Sequence, residues 1–195
     1  MKLRFAGISM FIFLSMLAVS CGGSSYMKLS TAKVTSSPEM ATIVFYRSTK
    51  YGGKIKSAIL DVTTPETKFY GSLASKSKIV VQVPAGDYTF MILGENADFA
   101  YASVEAGHIY YIIAQVRMGV WKARFSLNPV SKEELNSPSF AHLDVCKLYE
   151  KTPEADVWFA EHKTDIEQKR EAYYKKWMSK PESDRPRLNA TDYKE

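Results

Sequence analysis

The chain is poor in the residues from which disulfide frameworks and metal centres are built. Its 195 residues include two cysteines, Cys21 and Cys146, and three histidines, His108, His142 and His162. The histidines lie far apart, without His-x-x-x-His spacing, and no Cys-x-x-Cys occurs, so the usual zinc patterns are missing. No G-x-S-x-G elbow, phosphate loop or dinucleotide fingerprint is present either. Neither a metal nor a cofactor is indicated. Excess charge is also scarce: 26 basic against 21 acidic side chains give +5, spread along the chain, which does not point to nucleic acid. Apolar residues are not scarce. They make up 46% of the sequence, with 13% aromatics and twelve tyrosines, enough for the core of one globular domain.

The N-terminus reads as a targeting device. Lys2 and Arg4 form a positive start, and an apolar stretch runs from Phe5 to Val19. That stretch is short for a membrane span, which needs about 20 apolar residues. Leu17, Ala18, Val19, Ser20 and Cys21 follow in the order of a bacterial lipobox, which they resemble. Residues 1–20 are therefore expected to be a signal peptide, with lipidation at Cys21 as the new N-terminus. Cleavage there removes Lys2 and Arg4 and no acid, leaving 24 basic against 21 acidic groups, or +3. Gly22 stands where an inner-membrane retention signal would place Asp. The expected address is thus the periplasmic face of an outer membrane, if the host has two membranes. Cys146 is left without an internal partner and is expected to be a buried small hydrophobe rather than a reactive thiol.

Residues 21–40 are rich in Gly, Ser, Thr and Lys and read as a flexible linker. Residues 41–130 read as strands: Ala41–Arg47, Ser57–Val62, Lys68–Leu73, Lys78–Val83, Asp87–Leu93, Phe99–Val104, His108–Val116 and Lys122–Leu127. Turn residues separate them at Gly52-Gly53, Pro84-Ala85-Gly86, Gly94-Glu95-Asn96 and Glu105-Ala106-Gly107. The predicted fold is mainly β, an antiparallel β-sandwich of about eight short strands, with a helical extension over 131–180. Ser131 to Glu134 form a capping box. Thr152-Pro153 starts a longer amphipathic helix ending near Ser179, with Trp158, His162, Ile166, Tyr173 and Trp177 on one face. Residues 181–195 are expected to be extended or frayed.

The runs IVFYRS (43–48), VPAGDYTF (83–90), VEAGHIYYI (104–112) and LNPVS (127–131) resemble, in that order, a family of uncharacterised bacterial lipoproteins catalogued as domain of unknown function 2846. The resemblance covers residues 41–131. It implies a small sandwich of the transthyretin-like or immunoglobulin-like kind, and it brings neither an activity nor site residues.

Candidate surface contacts come from three places. Arg47, Lys50 and Tyr51, beside Gly52-Gly53, form a basic strand end, expected to be a solvated loop. His108 with Tyr110 or Tyr111 offers an aromatic surface for a glycan; neighbours in a strand face opposite ways, so one tyrosine of the pair belongs in the core. Trp158 and Trp177 mark the helix, which either docks on its own domain or recruits a partner. No catalytic constellation emerges. The expected function is a membrane-anchored, non-catalytic binding or structural module of the cell envelope. Its partners would be the bilayer, through acylated Cys21, and an envelope protein or glycan. The alternatives are an envelope hydrolase acting on peptidoglycan or another glycan, and an assembly subunit recruiting a protein through helix 153–179.

Overall fold

The alternating segments between residues 41 and 130 fold as two packed β-sheets, and a long helix covers the outer face of one of them. The computed structural model describes residues 26–50, 55–118, 123–138, 140 and 145–194. The first sheet contains β1 (Met27–Leu29), β2 (Ala41–Arg47), β5 (Ser77–Val83), β8 (Ile109–Met118), β9 (Ala123–Pro129), β10 (Lys147–Lys151) and β12 (Tyr193–Lys194), in the order β1-β10-β5-β2-β8-β12, with β9 also on β8. The second contains β3 (Ser57–Asp61), β4 (Lys68–Leu73), β6 (Gly86–Leu93), β7 (Ala97–Val104) and β11 (Arg187–Leu188), in the order β11-β7-β6-β3-β4. The helices are α1 (Lys132–Leu135) and α2 (Pro153–Met178). Neither is long and apolar enough to cross a membrane.

Every residue of β2 and β3 is buried. Their apolar sequences are those of strands covered on both faces. Successive side chains of β3 divide accordingly: Ile59 enters the core between the sheets, while Ala58 and Leu60 pack under α2. Between the sheets, Phe45 meets Phe90 edge-on at 5.1 Å. Under α2 the buried helix residues are Ala155, Ile166 and Trp177. Their spacing of eleven, three helical turns, places them on one line. The stripe containing Ile166 and Trp177 is thus occupied by docking on β3, β4, β6 and β7, and Trp158 is half-buried against Phe69, 5.6 Å away. The capping box at Ser131 and Glu134 is formed. Thr152 holds the N-cap position of α2 without a side-chain cap hydrogen bond.

The structure departs from the sequence reading in three respects. Pairing is not wholly antiparallel: β2 runs parallel to β8, β5 to β10 and β7 to β11. Residues 26–40 are not free linker, because β1 pairs with β10 and Gly107 N donates to Ser37 O at 3.0 Å. The tail is not frayed. Leu188 is fully buried, Tyr193 stacks on His108 at 3.7 Å, and Asp192 accepts from Lys132 N and Asn189 N. These short pairings rest on tertiary contacts and carry no periodic signal.

Candidate functional site

The surface contacts expected from sequence do not form one site. Arg47 is wholly buried rather than solvated, since it ends the central strand of its sheet. Its Nη1 donates to Ile55 O at 2.6 Å, its guanidinium lies 5.3 Å from the Phe125 ring, and burial lowers its pKa. Tyr51, His142 and Cys21 lie outside the described residues. Tyr110 is the core member of its pair. Its hydroxyl donates to Ala190 O and accepts from Glu105 N, and burial pushes its pKa up. Tyr111 faces the other way, against Phe140 at 4.8 Å. His108 is half-buried under Tyr193. Tyr110 therefore seats the tail from within the core, while His108 lines a surface groove of about 440 Å³ with Tyr111 and Tyr193. Cys146 is buried, and burial raises its thiol pKa, which disfavours the nucleophilic thiolate.

A different group of residues converges where β7, the β8–β9 pair and the end of α2 meet. Alternation along β9 sends Phe125 and Leu127 into the core and leaves Arg124 and Ser126 on the outer face. Arg124 pairs in register with Arg117 of β8. The last turns of α2 bring Tyr173, Lys176 and Trp177, and Lys180 follows. The start of β7 supplies Asp98. These residues line a groove of about 470 Å³ containing four cations and one carboxylate.

The edge of this groove is held by the turn before β7. Asn96 Oδ1 accepts from Phe125 N at 2.7 Å, and its Nδ2 donates to Phe125 O at 3.0 Å. Glu95 accepts from Ala123 N at 2.6 Å. A Cβ on Gly94 would lie 2.6 Å from the Phe125 ring, so only glycine permits this approach.

Within the groove, Arg117 is steered by two hydrogen bonds to Gln115 Oε1, which also accepts from Asn128. Lys180 Nζ lies 3.6 Å from Asp98 Oδ1. Burial raises the Asp98 pKa above its ordinary value, and Lys180 and Arg117 partly oppose that shift. Ser126 Oγ and Trp177 Nε1 are buried donors on residues of the groove wall, and neither has a hydrogen-bond partner among the described residues. The arrangement offers an excess of positive charge. It has one carboxylate, engaged by Lys180, and no histidine among its described residues, so it suits anion binding better than acid–base chemistry.

Of these residues, the sequence singles out only Trp177 as a candidate contact and places Tyr173 on the same helix face; it does not mark Asp98, Arg117, Arg124, Ser126, Lys176 or Lys180 as contacts. The signal that finds the arginine pair is hairpin register: Met118 opposite Ala123 puts Arg117 opposite Arg124. Compared with protein-family models, curated proteins and solved structures, the chain matches none.

Proposed function

We propose that the chain is an envelope lipoprotein, tethered to a bilayer by acylated Cys21, whose sandwich is a non-catalytic binding module acting through the basic groove. The observation that carries this reading is how soon the fold begins after the cysteine. The carbonyl of Tyr26 accepts from Thr152 N at 3.0 Å, and its ring lies 5.7 Å from Trp158. Five residues of chain span at most about 18 Å, so lipid on Cys21 would hold the domain close to the bilayer, with the N-terminal end of α2 nearest to it. Trp177 lies nineteen residues further along α2 than Trp158, about 28 Å at the helical rise. The groove is thus at the end of the helix remote from the tether, where it can meet ligands in the aqueous phase.

The test is Cys21→Ser with cell fractionation, together with the mass of the mature N-terminus. The expected result is movement of the protein from the membrane to the soluble fraction, and a native chain that begins at a diacylated or triacylated cysteine. A mature chain that retains residues 1–20, or carries an unmodified sulfur at position 21, would end this reading.

A further inference from the structure

Resting on that reading, we propose that the groove is a binding site for a phosphate group. Arg117 and Arg124 stand directly opposite one another on an antiparallel pair, which places their Cβ atoms about 5 Å apart. Like charges in that position repel and destabilise the pair unless an anion lies between them. Guanidinium forks match the oxygens of phosphate and carboxylate alike. The charge count separates the two. Lys176 and Lys180 add to the arginines, and Asp98 offsets one of the four cations, leaving a net of three positive charges. That excess suits a dianion better than a single carboxylate. Arg117 and Arg124 are both exposed, so their N–H donors are open to a ligand in the groove, and a tetrahedral oxyanion has oxygens enough to accept from both at once. Asp98 would repel the ligand. Its tie to Lys180 reduces that repulsion.

The phosphate could belong to a free or polymer-linked monoester or to the diester headgroup of a lipid. The groove's distance from the tethered end favours the former.

The experiment is isothermal titration of the full lipidated chain in neutral detergent. The probes are inorganic phosphate, glycerol 1-phosphate and glycerophosphoglycerol, at constant ionic strength. Saturable binding of inorganic phosphate is expected, weakened at least tenfold by Arg117→Gln and by Arg124→Gln. Lys33→Gln, outside the groove, should leave it unchanged. Because each arginine variant relieves a like-charge pair, its melting temperature should hold or rise, so lost binding is not lost folding. Binding of glycerol 1-phosphate in preference to glycerophosphoglycerol assigns a monoester, and the reverse preference assigns a lipid headgroup. If no probe saturates, or if the arginine variants bind as the native chain does, the site is disproved. That outcome leaves the fractionation result untouched.

Discussion

Asn96 hydrogen-bonds both backbone groups of Phe125, accepting from its N–H and donating to its carbonyl. The side chain thus takes the part of a neighbouring strand. It fastens the β6–β7 turn of one sheet to β9 of the other, and it fixes which way Arg124 faces. Replacing Asn96 by Asp keeps the shape and the acceptor but removes the donor, setting a carboxylate oxygen against the Phe125 carbonyl. The expected loss is about 1–3 kcal/mol. It should appear as a lower urea midpoint with an unchanged slope. Phosphate affinity should fall with it, because the new carboxylate also adds a negative charge to the groove wall that Asn96 lines.

Arg170 is the clamp between α2 and the loop after β3. Its Nη1 donates to Pro65 O and Thr67 Oγ1, and its Nη2 donates to Val62 O and Thr64 O. A lysine carries the same charge but lacks the planar fork that reaches several acceptors at once. Arg170→Lys is therefore expected to cost about 1–3 kcal/mol. Amide hydrogen exchange should quicken across residues 62–67 before it changes in the core strands.

These two contacts show where sequence reading stops. Period-two alternation and β-rich composition gave the strands between residues 41 and 129, because each buries its own side chains over five residues or more. Local hydrogen-bonding rules gave the cap at Ser131 and the start of α2. Nothing local marks β11 or β12, two residues each, whose place depends on an edge supplied by β7 or β8. Arg47 was misplaced for the same reason: a charged residue at a strand end looks solvated until the neighbouring strands are known. The groove was hidden because Asp98, Arg117, Arg124 and Lys180 come from separate elements, and only the register and the angle of α2 bring them together.

The tail offers a direct comparison of the two readings. If residues 181–195 were frayed, Leu188→Ala would have no effect on stability. In the structure Leu188 is fully buried, and a Leu→Ala change at such a site costs about 2–5 kcal/mol. The measurement is the midpoint of chemical unfolding. A shift within error of zero would show that the tail does not pack on β7.

Asp98 makes the stability of the fold depend on pH. Its folded pKa is raised by burial above the ordinary value of 3.8. Between those two values the folded chain holds a proton that the unfolded chain has released, so stability contributed at this site falls as pH rises through the window and is gone above it. Asp98→Asn removes the buried charge. The variant should therefore be more stable than the native chain at pH 7, with the difference shrinking as pH falls through that window toward 3.8 and vanishing below it. Lys180 loses its partner, but its side chain is 44% exposed, and such pairs contribute little. The same change deletes the one carboxylate facing the groove, so phosphate should bind more tightly to the variant than to the native chain at pH 7. If the variant proved less stable at pH 7, attraction to Lys180 and Arg117 would outweigh the cost of burying Asp98. The carboxylate would then be a structural support of the groove and not a brake on its ligand.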